Sequence, residues 1–221
     1  LQAAGVEQSE LDQVKQEILA DVHAAETEAF AGEEPAAILT AKSEVAARLV
    51  DRGSEQRGDE DADKSETPLA MRDAMREVLR HHLGRDEQVV MFGEDIEDPK
   101  GDVFGVTKGL STQFPGRVVN SPLTESTIIG TAVGRALAGQ RPVAFLQFAD
   151  FLPLAFNQLT LELATMWWRT DGGWTSPVIV LVPCGGYRPG LGPFHSHSLE
   201  ASLAHTPGLD VFMPSTAADA A

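Results

Sequence analysis

The stretch Asn120-Ser121-Pro122-Leu123-Thr124-Glu125-Ser126-Thr127-Ile128-Ile129-Gly130 has the pattern of a strand that gives way to a helix. It follows β-rich residues at 117 to 120 and begins an apolar repeat that predicts a helix over 126 to 138. Its one carboxylate, Glu125, therefore falls at a strand-to-helix switch. A carboxylate there can either do chemistry or simply stabilise the start of the helix through the helix dipole.

Helical and β-rich segments alternate along residues 68 to 221. Near-continuous apolar strands between helices are typical of a parallel sheet that is covered by helices on both faces. We therefore predict an α/β domain whose site lies beyond the carboxyl ends of the strands. The predicted helices span about 69–83, 106–114, 126–138, 152–168 and 198–204, and the predicted strands span 88–92, 117–120, 142–147, 178–182 and 209–213.

The first 67 residues have a different texture. Apolar residues at spacings near 3.6 predict an amphipathic helix over 9 to 30, with Ser9 as its N-cap. A weak Ala-rich helical stretch at 36 to 50 and a nearly all-polar run after it predict a solvated linker. We expect three parts: a helical tail at 1–34, an acidic flexible linker at 35–67 and the α/β domain at 68–221.

Composition excludes several classes of protein. The 221 residues carry a formal charge of −16, and residues 1 to 67 hold 17 of the 33 acidic side chains. Such a surface repels phosphate, so we expect no nucleic-acid partner. No apolar run approaches the roughly 20 residues that span a bilayer, and no signal peptide is visible, so we expect no membrane partner. The single cysteine, Cys184, excludes an internal disulfide and favours a cytoplasmic location.

An ordered set of short motifs carries more information than any one of them. The chain has neither of the common glycine-rich phosphate loops. What it has, in order, is Gly93-Glu94-Asp95, Val103-Phe104-Gly105-Val106-Thr107-Lys108-Gly109-Leu110, Pro122-Leu123-Thr124-Glu125, Gln147-Phe148-Ala149-Asp150-Phe151, Phe194-His195-Ser196-His197-Ser198 and His205-Thr206-Pro207-Gly208-Leu209.

In order and spacing this set resembles the β subunit of thiamin-diphosphate-dependent 2-oxoacid dehydrogenases, the E1 components, over about residues 68 to 221. The resemblance covers the transketolase-like pyrimidine-binding domain and not the C-terminal domain that follows it in that family. The helix at 9 to 30 is similar to the end of the family's α subunit. We therefore expect a piece of a longer, fused α–β E1 chain.

The resemblance assigns roles to five residues. Glu125 matches the catalytic glutamate that hydrogen-bonds the cofactor's aminopyrimidine ring and controls a proton there. Phe151 matches the aromatic residue that packs against that ring, although an isolated Phe after a strand would otherwise be core. Glu94 and Asp95 match an acidic turn near the cofactor, or alternatively form a helix cap or turn. His195 matches the active-site histidine that faces the substrate.

Other positions depart from the family pattern. His197 stands where the family has Gln, and Asn157 stands where some relatives have an acidic residue. Gly101-Asp102-Val103 is not the family's magnesium and diphosphate motif. We therefore expect no catalytic metal site in this chain. The resemblance implies that the α-type part supplies the Mg²⁺ site for the shared thiamin diphosphate, and it suggests a structural K⁺ near the loop at 183 to 193.

The implied function is decarboxylation of a 2-oxo acid, pyruvate or branched-chain, and transfer of the acyl group to a lipoyl-bearing E2 acyltransferase in a multienzyme complex. The implied partners are an E1 α-type domain and a second copy of the chain. Three alternatives stay open. They are a non-catalytic regulatory or assembly paralogue, another thiamin enzyme of transketolase-like or acetoin-cleaving type, and a zinc hydrolase that uses His195, His197 and His205.

Overall fold

The computed structural model describes residues 5–32, 69–217 and 219–220. The chain divides into two compact units, Leu1–Val45 and Ala46–Ala221. The predicted linker at 35–67 and the weak helix at 36–50 lie outside the described residues. The predicted boundaries of the three parts therefore remain predictions.

Within residues 5–32, the first unit forms a long helix, α1, at Gln8–Ala31. Its apolar side chains Val14, Ile18 and Val22 are 47%, 57% and 56% exposed. The predicted N-cap was wrong. The helix begins one residue before Ser9, and the residue at the N-cap is Glu7, which makes no side-chain capping bond. Across the described residues, no helix combines the length and apolar character needed to cross a membrane.

Four strands form the sheet of the second unit. They are β1 at Val89–Gly93, β2 at Val118–Asn120, β3 at Arg141–Phe145 and β4 at Ile179–Leu181. All neighbours are parallel, and the order across the sheet is β2-β1-β3-β4. The predicted parallel sheet is thus confirmed.

Helices cover both faces of this sheet, as predicted. Helix α2 at Met71–Arg85 and the short helix α3 at Leu110–Gln113 lie on one face, while α4 at Glu125–Leu137 lies on the other. Alternate strand residues feed two separate cores, because successive side chains of a strand point to opposite faces. Burial of each large aliphatic side chain contributes about 1.5–3 kcal/mol. The first core contains Leu83, Met91, Leu110, Val143 and Phe145, and the second contains Ile128, Ile129, Ala144, Leu146, Leu152 and Leu159.

The predicted long helix at 152 to 168 is instead three short pieces. A 3₁₀ helix at Ala149–Ala155 contains Pro153, a π-helix spans Gln158–Leu163, and α5 spans Met166–Arg169. The π geometry is visible in the bond from the Ala164 amide to the Leu159 carbonyl, five residues back, at 3.0 Å. Apolar spacing alone does not distinguish these pieces from one helix.

The predicted last strand at 209 to 213 is not a strand. After α6 at Glu200–Ala204 the chain turns at Gly208, whose φ is 97°. A Cβ atom there would lie 2.0 Å from the Ala164 carbonyl oxygen, so the backbone passes close to the end of the π-helix. The described residues beyond Gly208, 209–217 and 219–220, pair with no strand, and Phe212 is left 82% exposed.

The strand order creates a crevice between β1 and β3. The connection after β1 leads to β2 on one side, and the connection after β3 leads to β4 on the other, so the two diverge. Such a switch point is the usual ligand site of a parallel sheet. The two strands approach closely there, since a Cβ atom on Gly93 would lie 2.3 Å from the Phe145 carbonyl oxygen.

Candidate active site

Glu94 follows β1 at the mouth of the crevice and is almost completely buried, with 2% of its surface exposed. The backbone N–H of Thr124 donates a hydrogen bond to its carboxyl group. The other side of the carboxyl is unsatisfied, because Oε1 has no hydrogen-bond partner among the described residues. An unpartnered buried polar atom needs an explanation, and a group bound at this switch point would provide one.

The environment of Glu94 favours its neutral form. Burial is the main cause, followed by the negative charges of Glu125 and Asp95, and together they raise the pKa of Glu94 from 4.5 to about 7 against the opposing Thr124 bond. A carboxyl group with such a pKa can take up or release a proton near neutral pH.

Glu125 is the first residue of α4 and is half-buried. Leu123, two residues earlier, is 81% exposed. The charge of Glu125 acts on the carboxyl group of Glu94, so the two predicted carboxyl groups lie near each other and form a pair.

Asp95 has a different surrounding from Glu94. Its φ is 55°, and its half-exposed side chain forms an ion pair with Lys100. Its backbone carbonyl accepts a hydrogen bond from the amide of Asp102 at 2.8 Å. The structure thus places Asp95 in the predicted acidic turn, with a lysine rather than Glu125 as its side-chain partner.

The buried side chain of Gln147 joins the two sides of the crevice. Its Nε2 donates to the backbone carbonyl of Glu94, and its Oε1 accepts from the amide of Val103 at 3.2 Å. Sequence reasoning missed the role of Gln147. A polar residue just beyond a buried strand is the signal that could have identified it.

Aromatic rings line the side of the crevice that follows β3. The ring of His195 packs edge-on against Phe148, with centroids 4.5 Å apart, and lies 5.7 Å from Phe151. Phe104 packs edge-on against Phe148, with centroids 5.6 Å apart. The predicted residues Phe151 and His195 are therefore brought together, and both rings contact Phe148.

Sequence reasoning also missed a role for Asp150. Its side chain is buried, with 5% of its surface exposed. It accepts hydrogen bonds at 3.3 Å from the amides of Ser196 and His197. Asn157 is the N-cap residue of the π-helix, and no side-chain capping bond forms there.

Asp102 shapes the loop between the acidic turn and α3. It is buried, and its carboxyl accepts amide hydrogen bonds from Gly105 at 2.9 Å and Thr107 at 3.0 Å. Burial raises the pKa of Asp102, and these amide bonds oppose the shift. Sequence reasoning missed this role of Asp102. An Asp followed closely by Gly is typical of a turn that the Asp side chain stabilises, and this pattern could have identified it.

The three histidines of the zinc alternative have separate surroundings. His195 packs on phenylalanines, His197 contacts Asp150, and His205 follows α6 on the surface. Within residues 5–32, 69–217 and 219–220, no group of three or more His, Cys, Asp or Glu side chains could hold a metal ion. The described part of the chain therefore offers no ligand set for that alternative.

Comparison with known proteins finds two relatives that are named as β subunits of 2-oxoacid dehydrogenases. The chain is 43% identical over 149 residues to the "2-oxoisovalerate dehydrogenase subunit beta" of Bacillus subtilis (strain 168), which covers 67% of this chain and 45% of the relative. It is 43% identical over 153 residues to the "Pyruvate dehydrogenase E1 component subunit beta" of Leifsonia xyli subsp. xyli, with 69% and 45% covered.

A third relative is named for a different activity. It is the "Acetoin:2,6-dichlorophenolindophenol oxidoreductase subunit beta" of Cupriavidus necator, which is 36% identical over 161 residues, with 68% of this chain and 47% of the relative covered. The chain thus spans less than half the length of these relatives.

A solved structure has the same fold. It is described as "Split gene transketolase, inactive beta4 tetramer", and it superposes with a TM-score of 0.55 at 21% identity, covering 70% of this chain and 46% of the other. Residues 67–221 match the family described as "Transketolase, pyrimidine binding domain". The crevice between β1 and β3, with its paired carboxyl groups, lies within these residues. The chain therefore belongs to the transketolase pyrimidine-binding domain family.

Proposed function

We propose that this chain supplies the pyrimidine-binding half of the thiamin diphosphate site in an E1 component that decarboxylates a 2-oxo acid. The observation that carries the proposal is the carboxyl pair of Glu94 and Glu125 at the switch point, with one buried oxygen of Glu94 unpartnered. The names of the two relatives at 43% identity support the reaction class.

The residues of the crevice fit an aminopyrimidine ring. Such a ring needs a carboxyl group at its polar edge and an aromatic face beside it, and Glu125 and Phe151 would provide these. The unpartnered Oε1 of Glu94 would gain a partner when the polar edge of the ring enters. When bound, thiamin diphosphate supplies the electron sink for decarboxylation.

The chain's own residues manage protons and position. Glu125 would hold a proton at the ring edge, and Glu94 would store one nearby, because its pKa of about 7 lies close to the ambient pH. Asp95 would hold the acidic turn in place through Lys100. His195, fixed against Phe148, would face the carboxylate of the 2-oxo acid and orient it.

The other half of the site and the partners are part of the same proposal. An E1 α-type domain would supply the Mg²⁺ and diphosphate ligands, a second copy of the chain would complete the oligomer, and a lipoyl-bearing E2 would receive the acyl group. The proposal also includes a structural K⁺ near the loop at 183 to 193 and a cytoplasmic location. The proposed part boundaries remain 1–34, 35–67 and 68–221.

Exposed apolar residues favour such an assembly. Leu154, Leu161 and Trp168, one in each of the three short helical pieces of 149–169, are 62%, 56% and 73% exposed. We call these three residues the apolar strip. Large exposed apolar side chains are typical of protein contact surfaces, and Trp is enriched in them. We propose that a partner chain covers the apolar strip.

A second candidate reaction is acetoin cleavage, which the name of the Cupriavidus relative favours. One experiment separates the candidates. The full-length protein, with its partner chains, is assayed with an artificial electron acceptor on pyruvate, 3-methyl-2-oxobutanoate and acetoin, with and without thiamin diphosphate. Cofactor-dependent oxidation of either 2-oxo acid supports the proposal. Turnover of acetoin alone would move the assignment to that reaction, and no turnover by a folded assembly would contradict a catalytic role.

A further inference from the structure

We propose that Asp150, assisted by His197, is a positioning residue that fixes His195 in the crevice. This inference rests on the proposed function, since it concerns the place of a residue that would orient the substrate. It goes beyond that function because it assigns a task to two residues with no contact to the paired carboxyl groups.

The carboxyl group of Asp150 holds the backbone on the C-terminal side of His195. Its Oδ1 accepts from the amides of Ser196 and His197, and its Oδ2 also accepts from the His197 amide, each at 3.3 Å. These are the two residues that directly follow His195. Because the carboxyl side chain is 5% exposed, water competes little for these bonds.

His197 closes the outer side of this arrangement. Its Nδ1 lies 3.4 Å from Oδ1 of Asp150, and its own side chain is 60% exposed. The imidazole therefore lies between the carboxyl group and solvent. Its backbone carbonyl accepts from the amide of Gly185 at 3.0 Å, which ties the same residue to the segment after β4.

Asp150 also belongs to the element that carries the aromatic wall. It lies in the 3₁₀ helix next to Phe151 and two residues after Phe148, and both rings contact His195. The neighbouring Ala149 donates its amide to the Pro183 carbonyl at 2.9 Å. One carboxyl group thus connects two segments that lie more than 40 residues apart in sequence. The His195 ring of one segment packs against the Phe148 and Phe151 rings of the other.

The first test is the Asp150→Asn variant of the full-length protein. Asn keeps one acceptor oxygen but replaces the other with an NH₂ group that cannot accept from the His197 amide. We expect kcat for 2-oxo acid oxidation to fall about 10- to 100-fold, as it does when a reacting group loses its geometry. The matched control is Asp86→Asn. Asp86 pairs with Arg141 at the opposite end of the strands, and we expect its substitution to leave kcat unchanged.

A double variant distinguishes positioning from general damage. If Asp150 acts through His195, then Asp150→Asn combined with His195→Ala is no slower than His195→Ala alone, within about twofold. If the double variant instead lowered kcat by the product of the two single-variant factors, the proposal would be overturned. Should Asp150→Asn fail to fold, His197→Ala serves in the same cycle. It is expected to lower kcat about 3- to 10-fold in the wild-type background and not at all in the His195→Ala background.

Hydrogen exchange tests the same contact without any activity. In wild type the amides of Ser196 and His197 are protected by the carboxyl oxygens of Asp150. Asp150→Ala removes both oxygens, so we expect the exchange of these amides to quicken at least about tenfold, with no change in Asp86→Asn. Unchanged exchange would overturn the proposal. An inactive wild type would contradict the proposed function. In that case hydrogen exchange alone would show whether Asp150 holds the segment that carries His195.

Discussion

Glu94 is the residue whose chemistry depends most on its surroundings. Its position after β1 followed from the sequence, since the apolar run at 88 to 92 ends in Gly93-Glu94-Asp95. Its raised pKa did not, because that depends on burial and on Glu125, which is 31 positions away in the chain. A sequence pattern shows which groups lie at the end of each strand and does not show how deeply each is buried.

The raised pKa predicts a specific dependence of stability on pH. The unperturbed pKa is 4.5 and the folded pKa is about 7, so the folded protein binds more protons than the unfolded chain between these values. The free energy of unfolding therefore falls as the pH rises from about 4.5 to about 7. The Glu94→Gln variant lacks this fall, and at pH 8 it should be more stable than wild type by up to about 3 kcal/mol.

Urea unfolding at pH 5 and pH 8 measures this difference directly. The control is Glu77→Gln, which removes an exposed carboxylate that pairs with Arg80 on α2. That variant should keep the pH dependence of wild type. If Glu94→Gln kept it as well, Glu94 would not have the environment described.

Among the elements, the packing of β1 against β3 depends on the absence of a side chain. Gly93→Ala would place a Cβ atom 2.3 Å from the Phe145 carbonyl oxygen, and backbone cannot yield as a side chain can. We expect a loss of at least about 2 kcal/mol in the free energy of unfolding. The position of the Gly could be read from the sequence, but its partner strand could not.

A matched glycine on α2 provides the control for this change. Gly84 lies inside the helix, and a Cβ atom there has Phe114 Cζ as its nearest neighbour at 3.9 Å. Gly84→Ala should therefore stabilise the protein by up to about 1 kcal/mol through helix propensity. Thermal or urea unfolding of both variants gives the comparison, and an equal effect of the two would contradict the close approach of the strands.

The helices and strands could be predicted from the sequence only in part. The helices and the first four strands were predicted because their apolar periods reflect which face is buried. The break of 149–169 into three pieces was missed, because a π-helix differs from an α-helix in backbone bonds and hardly in apolar spacing. The false strand at 209 to 213 has an apolar composition, but it lacks a neighbour with which to pair.

For the whole molecule, the apolar strip predicts an assembly. Trp168 is 73% exposed, so Trp168→Glu should change the stability of the fold by no more than about 0.5 kcal/mol. The same change should dissociate the full-length assembly, because it introduces a charge into an apolar contact. Sedimentation velocity measures this, and Phe212→Glu, at an exposed residue outside the apolar strip, is the control. A Trp168→Glu assembly of wild-type size would show that the apolar strip is free surface.

Glu125→Gln provides the most direct test of the proposed function. In the full-length protein with its partner chains, thiamin-diphosphate-dependent decarboxylation of the preferred 2-oxo acid is measured for wild type, Glu125→Gln and the exposed control Glu77→Gln. We predict that Glu125→Gln lowers kcat about 10²- to 10⁴-fold, the range for loss of a proton-transferring group, and that Glu77→Gln keeps the wild-type rate. A folded Glu125→Gln protein with the wild-type rate would contradict the assignment of the crevice as the site of proton control.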